Sequence, residues 1–438
     1  MGEYRTQPER SNISGVVESG LCTGCGTCDG ICPKSAIRMQ KTKSVYLPIV
    51  NDSCNYCGLC SLVCPGAAIN FNKLNLDVFG HKSDSFIGNH IGCYIGHSTD
   101  TTLRSNSTSG GLVSELLRFC LSEKYIDGAL VTRMNVARPL EPEPYIARTE
   151  KEILEAAKSK YCPVPLNSAL KILAKSEGKF AVVGLPCHIA GLRKTELIDK
   201  NLAKKIVLHF GLFCNHAPTF SATDYLLKKL NVNKQDVLAI NYRGNGWPGR
   251  LTLTLKGGRE KSMDHFDPYY WGHVFNSYFH TPRCMLCNDK SCELADYSLA
   301  DAWHHSDSSL GESIIISRNK LGQEILKKAL EMKKIKLKSV SCNAIMQSQS
   351  IIARKRQHEA RVKVFKQLNK RVPTYNQEPL QPKLRDYPVA LLSYLRLSLS
   401  SNPQLWALID IYPKIASKKF TVTSSTATLK NDGGRRCE

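Results

Sequence analysis

The sequence lacks any long apolar run. Nothing in its 438 residues approaches the ~20 that a membrane-spanning helix requires. Residues 1–20 are polar, without the apolar core of a secretion signal. Acidic side chains are scarce: 38 Asp and Glu stand against 60 Lys and Arg, for a formal net charge of +22. From Lys320 to Glu438 there are 24 basic and 8 acidic residues, so the final quarter carries most of the excess. No nucleic-acid-binding motif accompanies it. The expected contact of this region is an acidic protein or an anionic membrane surface, beside the plainer reading of a solvated basic helix with a loose tail.

Cysteine, by contrast, is abundant. Eighteen cysteines without a secretion signal point to a reducing cytoplasm and to metal ligation, because disulfides are rare there. A hydrophobic content of 42% supports a real core, and the length suits two or three domains.

Eight of the cysteines form two identical sets: Cys22-x2-Cys25-x2-Cys28-x3-Cys32-Pro33 and Cys54-x2-Cys57-x2-Cys60-x3-Cys64-Pro65. Each member of the second follows its counterpart by 32 residues. This is the run with which bacterial ferredoxins hold two 4Fe–4S clusters, the fourth cysteine of each set reaching across to the other cluster. The expected tetrads are therefore Cys22, Cys25, Cys28 and Cys64, and Cys54, Cys57, Cys60 and Cys32. Small residues between ligands (Thr23-Gly24, Gly26-Thr27, Gly58-Leu59) let backbone N–H groups approach the sulfides. Each proline ends its turn without a competing N–H. Structural zinc takes four ligands, usually from two pairs, and fits this pattern poorly.

Along the chain, residues 1–20 read as a leader and 21–75 as the ferredoxin-like domain, with short strands expected at Ala36 to Met39 and Ala67 to Phe71. Residues 76–103 read as a linker rich in Gly, His, Ser and Asp. Residues 104–345 alternate strand and helix patterns. Buried strands are expected at Ala129–Thr132, Phe180–Gly184 and Ile206–Phe213, and helices at Leu112–Leu121 and Leu166–Ala174. Thr149-x-x-Glu152 is a capping box. This alternation argues for an α/β domain with some parallel sheet. Further strands are expected at Ala239–Tyr242, Leu251–Leu255 and Ile314–Ile316, with a Gly-rich loop, Arg243 to Gly249, between the first two. Residues 346–420 read as a basic helical extension, with a helix at Ile351–Leu368 and an apolar but interrupted stretch at 389–412. Residues 421–438 read as a disordered tail. The fold class is thus mixed α+β and α/β.

A second cysteine group, Cys284-x2-Cys287-x4-Cys292, precedes Ala295-Asp296-Tyr297-Ser298-Leu299-Ala300-Asp301-Ala302-Trp303. Three close cysteines need a fourth ligand to close a 4Fe–4S site. Cys187, at the end of a buried strand, is the candidate. Cys214, in the equivalent place on the next strand, competes with it. Free thiols or zinc are the alternatives.

The segment Gly184-Leu185-Pro186-Cys187-His188-Ile189-Ala190-Gly191-Leu192-Arg193 resembles a signature of the family of coenzyme F420 hydrogenase/dehydrogenase beta subunits. Ser109-Gly110-Gly111, Ser159-Lys160-Tyr161, Gly211-Leu212-Phe213-Cys214 and the segment ending at Trp303 are similar to further blocks of it, together spanning roughly residues 20 to 320. The family threonine is Leu185 here, its glutamine is His188, an aliphatic residue is replaced by Cys162, and a glycine by His304-His305.

The resemblance implies FAD in the α/β domain and electron exchange between a reduced carrier, coenzyme F420 in some members, and iron–sulfur clusters. A hydride carrier gives two electrons at once and a cluster takes one at a time, so a flavin belongs between them. The loop Ser107, Ser109, Gly110 and Gly111, entering a helix, is the expected pyrophosphate site. Lys160 would face the phosphates or the flavin's anionic edge. Asn215, Asn241, Arg243 and Gly244 lie on turns after strands, where α/β ligands bind. His304 and His305 are candidate acids or bases, with ordinary surface histidines as the plainer reading.

The expected function is an iron–sulfur flavoprotein oxidoreductase linking a hydride carrier, F420H2, to a redox partner protein such as ferredoxin or another oxidoreductase subunit, with peripheral membrane contact through the basic region. A ferredoxin-dependent reductase of an organic substrate and a flavin-free electron-transfer adaptor are the alternatives.

Overall fold

The computed structural model describes residues 12–83, 86–275, 277–303 and 309–410. His304, His305 and the tail 421–438 lie outside them. So does most of the leader.

Each cysteine set contains a short helical turn, around its third cysteine, entered from a left-handed glycine. Helix α1 (Thr27–Ile31) starts after Gly26 at φ 82°, and α2 (Leu59–Leu62) after Gly58 at φ 77°. Glycine reaches this region without the penalty a Cβ would bring. Strand β1 (Ile37–Lys41) pairs antiparallel with β2 (Tyr46–Val50). The strand expected at Ala67–Phe71 is reduced to Ala68–Ile69, paired with Thr374–Tyr375. Asn70 cuts it short: its side chain accepts from the Lys73 N–H and caps a helix that begins at Phe71.

The main sheet has eight strands. They are β3 (Gly92–Ser98), β4 (Gly128–Met134), β5 (Pro142–Ala147), β6 (Phe180–Gly184), β7 (Ile206–Leu212), β8 (Tyr297–Asp301), β9 (Ser313–Ser317) and β10 (Ile335–Ser339). Their spatial order is β10-β3-β9-β8-β7-β6-β4-β5, with β8, β7, β6 and β4 parallel and the outer strands antiparallel. β3 lies within the stretch 76–103 and pairs on both sides, with β9 and β10. Helix α3 (Leu112–Ser122) packs Leu112, Leu116 and Phe119 into the core beside β7 and β8 residues Phe210 and Tyr297. Helix α4 (Pro186–Ile198) follows β6 directly, with proline in its first turn. The capping box forms as spaced: Thr149 Oγ1 accepts from the Glu152 N–H at 3.2 Å, and Glu152 Oε2 accepts from the Thr149 N–H at 3.0 Å. A separate three-stranded antiparallel sheet holds Val237–Asn241, Arg250–Leu255 and Glu260–Asp264.

The ferredoxin-like part docks on α4 through close contact. A Cβ on Gly191 would lie 2.3 Å from Thr27 Oγ1, so a larger residue has no room. Asn167 crosses the same boundary. Its amide donates to Thr27 Oγ1 and to the His188 carbonyl, both at 2.8 Å, and its backbone N–H donates to the Cys25 carbonyl at 2.9 Å. The C-terminal region adds helices α5 (Ile351–Gln367) and α6 (Asp386–Ser401), joined by the buried Arg356–Asp386 pair at 2.6 Å and by Phe365 on Tyr394. Among the described residues no helix is long and apolar enough to cross a membrane.

Candidate iron–sulfur and carrier site

The first tetrad sits inside. Cys25, Cys28 and Cys64 are buried and Cys22 half-buried. Burial, with smaller contributions from Cys25 and Cys64, pushes the Cys22 thiol up to about 12. Cys28 is raised by burial and by Cys25, Cys22 and Cys64. Four thiolates this close repel one another, so a cationic core is what would hold them ionised together. Backbone N–H groups point at the sulfurs: Gly24 at Cys22 (3.4 Å), Gly66 at Cys64 (3.3 Å) and Ala36 at Cys32 (3.3 Å). Cys32, Cys54, Cys57 and Cys60 line one small cavity with Gly58 and Leu59.

A larger cleft, about 910 Å³ including its open mouth, is lined by Cys187, Cys214, Cys284 and Cys287. Cys22 of the first tetrad lines it too. Cys187 and Cys214 follow the neighbouring parallel strands β6 and β7, so the topology sets their chain positions side by side. Cys284 and Cys287 come from the turn Pro282–Met285, whose cap Thr281 accepts from the Cys284 N–H at 3.3 Å. Burial raises the Cys187 thiol well above its ordinary value, and Cys25, Cys214, Cys284 and Cys287 add to it in that order.

Cys292 does not line this cleft. It is fully buried in an apolar group with Ile69, Phe71 and Ile189, its sulfur filling the space that Gly211 leaves by lacking a Cβ. The fourth cysteine of the α/β part on this cleft is Cys214. Among the described residues no three His, Cys, Asp or Glu side chains converge as one metal ion would need; the cysteines ring a volume instead.

Two cations, Arg283 buried and Lys194 half-buried, serve the thiol sets. Arg283 donates to the Gly66 and Pro65 carbonyls at 2.7 and 3.0 Å and lowers the thiols of both Cys22 and Cys287. Lys194 donates to the Cys64 carbonyl at 2.8 Å, and burial brings its ammonium down to about 8.

Comparison with known proteins places these features. Residues 93–171 match the N-terminal model, and residues 177–342 the C-terminal model, of the coenzyme F420 hydrogenase/dehydrogenase beta subunit. Residues 21–68 match a 4Fe–4S dicluster domain. The beta subunit of coenzyme F420 hydrogenase from Methanothermobacter thermautotrophicus is 30% identical over 247 residues, which are 53% of this chain and 79% of that one. The chain belongs to the family of coenzyme F420 hydrogenase/dehydrogenase beta subunits. The beta subunit of coenzyme F420 hydrogenase from Methanosarcina barkeri is 27% identical over 56% of this family member and 81% of its own length. A chain of the F420-reducing NiFe hydrogenase complex from the same organism shares the fold, with TM-score 0.52 and 23% identity, over 66% of this chain and 98% of that one. This relative of the F420 hydrogenase and dehydrogenase beta subunits is an oxidoreductase.

In this family member the signature around Cys187 has a physical reading. His188 accepts from the Leu185 N–H at Nδ1 (3.1 Å) and faces the Val164 carbonyl at Nε2 (3.0 Å). Burial lowers its pKa to about 4, so it stays neutral and fixes the turn that presents Cys187. Gly191 makes room for Thr27, as above.

The expected flavin residues divide. Three loops meet: Ser159 Oγ lies 3.3 Å from Thr108 Oγ1, the Gly246 N–H donates to the Ser105 carbonyl at 3.2 Å, and Gly244 packs against the Lys158 stem. Gly111, at φ 76°, begins α3 with no side-chain cap, and Gly110 leaves no space for a Cβ against the Gly96 carbonyl. An uncapped helix start behind two glycines suits a pyrophosphate. The hydroxyls of Ser107 and Ser109 are bonded to the Leu103 and Glu312 carbonyls.

Lys160 is buried, donates to the carbonyls of Ala156, Ala157 and Lys158, and is lowered to about 7 by that burial. Arg243 is held by Asp301 at 2.7 Å and lies over Trp303. Arg243 is thus paired with a carboxylate, whereas Lys160 is held by neutral carbonyls. Asn215 lines the cysteine cleft instead, and Asn241 is exposed at its strand's end. Sequence reasoning missed the aromatic packing beside Arg243, where Trp247 lies 5.1 Å from Trp303 and His265 stacks on Trp303 at 5.8 Å. These residues are far apart in sequence and carry no local signal.

Proposed function

We propose that this protein passes electrons between a hydride carrier of the F420 type and a redox partner protein, through three 4Fe–4S sites and FAD. The sites are Cys22, Cys25, Cys28 and Cys64; Cys54, Cys57, Cys60 and Cys32; and Cys187, Cys214, Cys284 and Cys287. The FAD pyrophosphate belongs at the Ser107–Gly111 loop. When bound, the flavin takes a hydride and releases single electrons. The chain's own residues orient the groups: Gly110 and Gly111 admit the phosphates, His188 fixes Cys187, and Arg283 places positive charge between two thiol sets.

The observation that carries this reading is the cleft shared by Cys22 and the four cysteines of the α/β part. Thiols of the two domains open on one space, as a relay between them requires. Exposed Val389, Leu391, Leu392 and Leu395 on α6, with Lys383 and Arg385 at its start, favour peripheral contact with an anionic bilayer.

The test is anaerobic purification, followed by the visible spectrum and iron content before and after F420H2 is added. A flavin spectrum bleached by the carrier, with ~12 irons at four per site, is the expected result. About 8 irons would remove the third site. Clusters without flavin would leave an electron-transfer adaptor. Flavin reduced by ferredoxin but not by F420H2 would leave a reductase of an organic substrate.

A further inference from the structure

The three thiol sets lie in a row. Cys22 shares the cleft of the third set with Cys187, Cys214, Cys284 and Cys287. On the other side, Cys28 and Cys64 pack in one apolar group with Cys60, against Cys32. The second set, Cys32, Cys54, Cys57 and Cys60, is therefore the outer end. It also contains an exposed cysteine, Cys57.

The outer end carries an odd residue. Tyr56 sits between Cys54 and Cys57 at φ 54°, the left-handed region, and its side chain is half in solvent at 52% exposure. The equivalent position of the first set is Gly24, at φ 68°. There the backbone turns inward, and a Cβ would lie 3.0 Å from the Tyr46 carbonyl oxygen. The same turn thus uses glycine where it faces protein and a bulky aromatic where it faces water. A large side chain in this conformation is strained, and such strain is kept where it serves a purpose. Its chain neighbours Ser53, Asn55 and Cys57 are exposed as well, so Tyr56 stands in an open stretch beside the outer cysteines.

We infer that the surface around Tyr56 is the electron port, where a protein carrying its own one-electron centre docks over Cys57 with the Tyr56 ring as anchor. Exposed aromatics are the usual anchors of such contacts. Each encounter moves one electron: the outer site is oxidised by one and the partner's centre reduced by one, with no bond made or broken. Two encounters discharge the two electrons of one hydride. The port rests on the relay proposed above.

The test uses the iron-loaded full chain with a two-cluster bacterial ferredoxin as protein probe and methyl viologen as small probe. Tyr56→Asn removes the ring but keeps a residue that tolerates the left-handed turn. Ser53→Glu adds charge to this open stretch without touching a ligand. Both are expected to slow electron exchange with ferredoxin about tenfold, the effect of losing one anchor contact, and to leave methyl viologen within about twofold. Independently of activity, a dysprosium chelate in frozen solution should relax first the cluster signal that Cys57→Ser alters. Unchanged ferredoxin rates with all cluster signals intact would overturn the port, as would relaxation of the third-site signal first. Absence of cluster signals in the unmodified protein would instead sink the relay, and the port with it.

Discussion

At the scale of single residues, two cysteines sit differently in the α/β part. Cys292 stands five positions after Cys287, yet it fills the gap over Gly211, while Cys214 turns toward the cleft. Cys214→Ser is expected to remove about four irons per chain, one 4Fe–4S site, whereas Cys292→Ser leaves iron content unchanged, and an iron assay of both variants checks it. The eight cysteines of the ferredoxin run could be read because their ligand geometry is set within a few residues. That Cys214 and not Cys292 lines the cleft was not legible, because it depends on which strands are neighbours.

A second residue-scale prediction concerns His209, buried between Glu196 at 2.7 Å and Asp296 at 2.8 Å, with Arg193 bonded to both acids. Burial and Arg193 oppose a charge on the imidazole, but the two carboxylates outweigh them and raise its pKa. Asp296 is brought to about 2: burial resists, and Arg193 and His209 overcome it. The histidine contribution is therefore complete below its unfolded pKa, about 6.5, and is lost as pH rises through the folded value. The aspartate contribution is complete above about 4 and lost as pH falls toward 2. His209→Gln is expected to cost about 3 kcal/mol at pH 6, as for one partner removed from a buried pair. The gap in unfolding temperature between variant and parent should narrow as pH rises above about 6.5 and through the raised folded value.

At the scale of elements, the parallel strands β4, β6 and β7 were legible from their apolar runs, and α3 and the capping box from their spacing. β3 was not. Its alternation of Gly, His and Ser with Ile and Cys resembles a loop, and only pairing on both sides makes it a strand. Phe71 was read as strand because an apolar run does not show the Asn70 cap behind it. The contact of α1 on α4 gives the sharpest test at this level. Gly191→Ala places a methyl 2.3 Å from Thr27 Oγ1. It is expected to destabilise the docked state by about 1–3 kcal/mol through overpacking. Limited proteolysis should then cleave between the ferredoxin-like part and the sheet sooner than in the parent. Thr27→Ala, which removes the Oγ1 that the new methyl meets, should partly restore protection.

At the scale of the molecule, the formal charge of +22 and the exposed leucines of α6 bear on where the protein sits. Binding to vesicles of anionic phospholipid is expected, weakening as salt rises because surface attraction is screened within about a nanometre at 0.1 M. Leu392→Glu should reduce it, and co-sedimentation at two salt concentrations measures both effects.

The contacts that Asn167, Thr27 and Gly191 make have a consequence for timing. They clamp the ferredoxin-like part to the sheet through buried hydrogen bonds and a backbone fit too close for a methyl group. A relay built this way has no swinging arm, so charge moves along it without any large body having to diffuse. Thickening the solvent with glycerol should then slow arrival at the port while leaving internal transfer at its original speed.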